Sequence, residues 1–132
     1  MLVKTLMKTP VVTVTEDQPV WRARELVLRE GLMDLIVLRE GKPVGVLGDR
    51  ELRLAPTSAN GRSDWQALWD HLAVESIMTH STLTISAQTH VRDAIRVLCD
   101  SHVDSLPVVQ DGEVVGVVTI AELLGLLSNL LE

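Results

Sequence analysis

Phenylalanine and tyrosine are absent from the 132 residues, and three tryptophans are the whole aromatic complement. A core built under that restriction must be packed from aliphatic side chains. A nucleic-acid surface of interleaved basic and aromatic residues is not available either. Cysteine occurs once, at Cys99, so no intrachain disulfide and no thiolate metal cluster can form. Basic residues are in the minority, 12 Lys and Arg against 18 Asp and Glu, which gives a net charge of −6 and a pI of about 5.1. That sign is wrong for a phosphate backbone, so nucleic acid is not an expected partner. No apolar run is long enough to cross a bilayer, and the first residues lack the apolar stretch and small-residue cleavage site of a leader. The expectation is a cytoplasmic protein without a membrane partner.

What the chain does have is a repeat. Laid over itself from Val3 onto Val74, at an offset of 71 residues and without a gap, it matches for about 51 positions. Met7 falls on Met78, Thr13 on Thr84, Val20 on Val91, Ala23 on Ala94, Leu35 on Leu106 and Val37 on Val108. Glu51-Leu52 falls on Glu122-Leu123, and Gly41-Lys42-Pro43-Val44-Gly45-Val46 on Gly112-Glu113-Val114-Val115-Gly116-Val117. Each half alone is too small to bury a sufficient core, so the two copies are expected to act together. The boundaries are residues 1–53 for the first copy, 54–73 for a linker and 74–132 for the second. Charge is uneven: nine Lys and Arg against eight Asp and Glu in residues 3–53, but two against seven in 74–124.

Each copy reads strand, helix, strand, strand, helix. Val11 to Val14 and Leu83 to Ile85 are short β-rich runs, each preceded by a helical turn ending at Met7 or Met78. Pro19 suits the start of a helix whose Val20, Ala23, Leu26 and Val27 share a face, with Val91, Ala94, Ile95 and Leu98 as their counterparts. Gly31 suits its end. Leu35 to Leu38 and Leu106 to Val109 are continuous apolar runs, the pattern of strands covered on both faces. Glu40-Gly41-Lys42 and Asp111-Gly112-Glu113 then read as hairpin turns, leading to return strands Val44 to Leu47 and Val114 to Val118. Closing helices begin near Asp49, a candidate N-cap, and near Ile120. In the linker, Ser63 can cap a helix whose Trp65, Leu68, Trp69 and Leu72 make one apolar stripe, a cover for the core or a subunit interface.

The residues richest in chemistry are Gly116-Val117-Val118-Thr119-Ile120-Ala121-Glu122, where a strand ends in a hydroxyl and a helix starts with a carboxylate three residues on. Thr-x-x-Glu is a capping box that satisfies the helix's own amides. The same groups at a helix start also suit a phosphate and a ribose diol. Both readings stand at this point. His71, His80, His90 and His102 have no metal-ligand spacing with one another or with Cys99, and no nucleophile, base and orienting residue form a set, so no catalytic residues, no metal and no enzyme activity are expected. Arg22, Arg24 and Arg29 read as the solvated face of a helix.

The doubled pattern, with Leu106-Pro-Val-Val, the Asp-Gly turn and Gly-Val-Val-Thr-x-x-acid, resembles a pair of cystathionine-β-synthase (CBS) domains, a Bateman module, over about Val3 to Leu124. The stretch Gly45 to Arg53 is similar to the family's Gly-h-h-Ser/Thr-Asp-Arg-Asp-Leu-Arg, where h is apolar, and the linker to that of acetoin-utilisation-type proteins. The resemblance implies a mixed α/β (α+β) fold of two pseudo-symmetric βαββα repeats packed sheet to sheet. It implies a regulatory module that binds an adenosyl small molecule (AMP, ADP, ATP, S-adenosylmethionine or a dinucleotide) in two clefts, coupled to oligomerisation or to an unknown protein partner. Carried over, cleft one joins Thr119 and Glu122 to Thr9, Val12, Asp34 and Leu35. Cleft two joins Arg50 and Glu51 to Thr79, Leu83, Ser105 and Leu106. The chain departs from the family in placing Glu where Asp is usual in both copies, and Gly48 where a hydroxyl residue is usual, so cleft one is expected to be the stronger site. A ligand-free scaffold for dimerisation or docking is the alternative. A homodimer is expected from the apolar helix faces, Trp65, Trp69 and the tail Leu123, Leu124, Leu126, Leu127, Leu130 and Leu131.

Overall fold

In chain order the elements are α1 (Val3–Leu6), β1 (Thr13–Thr15), α2 (Val20–Glu30), β2 (Asp34–Arg39) and β3 (Lys42–Gly48), then a 3-10 turn at Val74–Ser76, β4 (Thr79–His80), β5 (Ile85–Ser86), α3 (Val91–Ser101), β6 (Ser105–Gln110), β7 (Glu113–Thr119) and α4 (Ile120–Leu130). The computed structural model describes residues 1–32, 34–48, 51–52 and 70–131. Asp49, Arg50, Ser63, Trp65, Leu68 and Trp69 lie outside the described residues. Glu51 and Leu52 are helical, as expected for the start of the first closing helix. Among the described residues no helix is long and apolar enough to cross a membrane.

The residues gather into two compact units, 12–81 and 1–11 with 82–132. Unit 12–81 holds a mixed sheet of order β1-β2-β3-β4, and the other unit a sheet of order β5-β6-β7. In each, a parallel pair is joined through a helix and an antiparallel pair through a hairpin. The hairpins are the tight primed kind, with positive φ at both central residues: 50° and 80° at Glu40 and Gly41, 53° and 82° at Asp111 and Gly112. β2 and β6 are buried along most of their length, as their apolar runs require.

The units exchange their opening segments. By sequence α1 begins the first copy, but Val3 N–H donates to Thr89 O at 2.8 Å, Lys4 N–H to Ala87 O at 3.0 Å and Lys8 N–H to Val117 O at 2.8 Å, all second-copy carbonyls. Their counterparts do the reverse: Val74 N–H donates to Gln18 O at 2.8 Å and Glu75 N–H to Glu16 O at 3.0 Å, and Thr79 pairs with Val46. Every one of these bonds maps onto its twin under the offset of 71. The exchange also evens the charge, because Lys4 and Lys8 join the acidic copy. Residues 1–11 with 82–132 carry four Lys and Arg against seven Asp and Glu, and residues 12–81 eight against eleven.

Each unit has its own aliphatic core. In 12–81 it comprises Val14, Val20, Ala23, Val27, Leu35, Val37, Leu47, Leu52, Val74 and Met78. In the other it comprises Val3, Ile85, Ala87, Ala94, Leu98, Leu106, Val108 and Val118. Val3 and Val74, from the exchanged segments, are fully buried in these cores. Close approach at two glycines makes room for the segments: a Cβ on Gly116 would lie 2.7 Å from Met7 Sδ and 3.0 Å from Lys8 O, and one on Gly45 2.5 Å from Met78 Sδ and 2.8 Å from Thr79 O.

Arg39 bonds Glu16 at 2.7 Å, and this guanidinium holds the Glu16 carboxyl below the usual carboxylate range. Arg24, expected on a solvated face, instead bonds Asp70 and is partly buried. α4 contributes no buried residue. Its Ile120, Leu124, Leu127 and Leu131 are 39%, 58%, 49% and 73% exposed at helical spacing.

The offset also pairs Gly31 with His102, which end α2 and α3 in the left-handed region at φ 64° and 60°. Glycine adopts this backbone freely and a Cβ opposes it. His102→Gly should therefore stabilise the protein by about 0.5–1 kcal/mol and Gly31→His should destabilise it comparably, read from the midpoints of urea unfolding; unchanged midpoints in both would contradict this account.

Candidate functional site

Two carboxylates occupy equivalent places, each three residues beyond the last residue of a return strand. β7 ends in the buried Thr119, whose extended backbone (φ −117°, ψ 165°) makes it the N-cap of α4. Glu122 turns back on it in a capping box. Thr119 N–H donates to Glu122 Oε1 at 2.8 Å and the Thr119 hydroxyl to Oε2 at 2.7 Å. The next amide, Ile120 N–H, is taken by Asp104 O at 3.1 Å. The N-cap amide and the first amide of the helix are thus already bonded within the unit.

A cation completes this arrangement. The exchanged segment runs antiparallel to β7 through the Lys8–Val117 bridge, which brings Lys8 Nζ to 3.8 Å from Glu122 Oε2. The Lys8 side chain is 50% exposed and that of Glu122 13%. Thr9 follows in the same unit, exposed.

In unit 12–81 the geometry is the same with different groups. Gly48 N–H donates to Glu51 Oε2 at 2.9 Å, as Thr119 does to Glu122. Gly48 has no hydroxyl to add, and the Thr79 hydroxyl supplies it from the neighbouring β4, donating to Glu51 Oε1 at 2.6 Å. Thr79 is the counterpart of Lys8 under the offset of 71. Each carboxylate therefore receives one amide and one hydroxyl, from one residue in one unit and from two residues in the other. A carboxylate offers about four acceptor positions, so each retains capacity for further donors such as a diol.

Of the residues grouped by the resemblance, the structure brings together Thr119, Glu122 and Thr9 in one unit and Glu51 and Thr79 in the other. Val12, Asp34 and Leu35 belong to unit 12–81, and Leu83, Ser105 and Leu106 to the unit with Glu122. Asp34 lies opposite Gly48 in the ladder and Ser105 opposite Thr119. Leu35 and Leu106 are fully buried in their cores, Val12 is half-buried and Leu83 is 40% exposed. Arg50 lies outside the described residues. The sequence reading joined Thr79 to Glu51 without seeing that it supplies the hydroxyl Gly48 lacks, and read Lys4 and Lys8 as solvated residues flanking the cleft-one strand without pairing Lys8 with Glu122. The offset of 71 carried the signal for that pairing. Among the described residues no cluster of His, Cys, Asp and Glu is arranged to hold a metal.

The family model described as the CBS domain matches residues 3–57 and 74–129. A CBS domain-containing protein of Dictyostelium discoideum is 32% identical over 137 residues, covering 99% of this chain and 94% of that one. Among solved structures, the CBS domain pair of protein MJ0100, in complex with 5′-methylthioadenosine and S-adenosyl-L-methionine, superposes with a TM-score of 0.77 at 22% identity, over 98% of this chain and 97% of that one. CBSX2, from Arabidopsis thaliana, in complex with AMP, gives 0.74 at 25% identity over 97% of each.

The two ways of supplying a hydroxyl should be energetically alike. Thr79→Val and Thr119→Val are each expected to lower stability by about 1.5 kcal/mol, the scale of a hydrogen bond to a charged group. Lys8→Ala should lower it by less than about 0.5 kcal/mol, since an exposed ion pair contributes little. Denaturant titration of the three variants checks the order; a negligible effect of Thr79→Val would remove Thr79 from the site.

Proposed function

The chain belongs to the CBS domain family, and on that footing we propose that it is a regulatory module that binds an adenosine-containing ligand, AMP, ADP, ATP or S-adenosylmethionine, at Glu51 and at Glu122. The observation that carries this reading is the pair of carboxylates, each fixed by one amide and one hydroxyl. A group held in place this way accepts a ribose diol without first being ordered. Thr9 is assigned to the Glu122 site, with Thr119, and Thr79 to the Glu51 site. Thr79 supports the Glu51 carboxylate, which makes the two sites more nearly equal than Gly48 alone suggests.

A second reading draws on the same bonds. Both carboxylates already satisfy their own helix starts, which is all a scaffold needs. The two readings separate in one experiment. Calorimetry and thermal melting with AMP, ATP, S-adenosylmethionine and 5′-methylthioadenosine should give saturable heat and a concentration-dependent rise in melting temperature. Glu122→Gln and Glu51→Gln should each weaken one class of site about tenfold or more, the scale of one charge-assisted bond. Absence of heat and shift across the panel at millimolar ligand selects the scaffold.

We propose further that the module is a homodimer, and that ligand occupancy biases its association with a protein partner. The support is α4, which leaves Ile120, Leu124, Leu127 and Leu131 uncovered; symmetric pairing buries such a stripe. Light scattering at micromolar concentration should give twice the chain mass of 14.5 kDa, and Leu124→Asp with Leu127→Asp should give the single mass. A monomeric parent chain would refute it.

A further inference from the structure

The position shared by Lys8 and Thr79 has been put to different use in the two units. In unit 12–81 it completes the hydrogen bonds of Glu51, because Gly48 cannot. Beside Glu122 that task is done by Thr119 itself, through its amide and its hydroxyl. Lys8 is therefore not needed to satisfy the carboxylate. It adds a charge.

What that charge does follows from its surroundings. A phosphate near Glu122 would meet a carboxylate of the same sign. It would find Thr119 N–H and Ile120 N–H, the two amides at the end of β7 and the start of α4, already given to Glu122 Oε1 and Asp104 O. The Lys8 ammonium, half exposed and 3.8 Å from Glu122 Oε2, offsets part of the carboxylate's charge. An exposed pair at this separation is weak, so the ammonium can swing to a phosphate at small loss. A lysine serves here as a mobile point charge.

Resting on the adenosine-ligand reading, we infer that Lys8 is a specificity-determining residue: it makes the Glu122 site select adenosine ligands that carry a phosphate over those that do not. The group touches the ligand's charge, not its base or sugar. Removing it changes the preference between ligands without abolishing binding of the nucleoside part.

The test compares AMP with adenosine and 5′-methylthioadenosine on the full chain by calorimetry, for the parent protein, Lys8→Thr (the residue the other copy carries) and Lys8→Arg. Lys8→Thr should weaken AMP about tenfold, with adenosine and 5′-methylthioadenosine changing less than about twofold, and should flatten the fall of AMP affinity with salt. Lys8→Arg should retain the preference. A uniform loss for all three ligands would make Lys8 structural and overturn the inference, as would unchanged AMP affinity or a parent protein that prefers the phosphate-free ligands. These results leave the adenosine reading intact. If the parent chain binds none of the three, that reading falls and the role of Lys8 falls with it.

Discussion

A single steric allowance organises this protein: the absence of a side chain at Gly116, and at its twin Gly45. Through each gap the backbone of a sequence-distant segment comes close enough to pair with a return strand, with Lys8 O within 3.0 Å of where the Gly116 Cβ would stand. That approach buries Val3 and Val74 and puts position 8 or 79 beside a carboxylate. The two sites differ in what occupies those positions and in having Gly48 in one where the other has Thr119.

The carboxylates show how one geometry tolerates different chemistry. What is common to the two copies is a count of donors, one amide and one hydroxyl per carboxylate, and not the residues that supply them. Loss of the hydroxyl at Gly48 is made good from the next strand. That substitution ties down position 79, whereas its twin at position 8 is left free to carry charge. Two sites built on the same frame thus differ in electrostatics.

The architecture was largely legible in the sequence. The offset of 71, the apolar runs at Leu35 and Leu106, the turns at Gly41 and Gly112 and the helices from Val20 and Val91 each depend on local periodicity or local backbone preference, and each is found. The exchange of opening segments was not legible, for a physical reason. Val3 and Val74 are identical, as are Met7 and Met78, so either copy's segment presents the same side chains to the same groove, and periodicity cannot say which groove receives it. The donor from Thr79 to Glu51 was hidden likewise, because it joins residues 28 positions apart through a strand pairing. Thr119 and Glu122, close in sequence, could be read from their spacing, whereas Thr79 and Glu51, joined across a ladder, were grouped by the resemblance alone.

The exchange gives the chain a direction in time as well as in space. Unit 12–81 is continuous, and during synthesis from the N-terminus its last strand emerges with the rest of its sheet already made. The other unit is split: residues 1–11 are made well before Ala87 and Thr89, which take Lys4 and Val3, and before Val117, which takes Lys8. Through that interval the apolar Val3 and Met7 stay without their partners, and the loop that finally closes encloses a folded body instead of loose chain. Residues 1–11 are thus made before every segment that buries them.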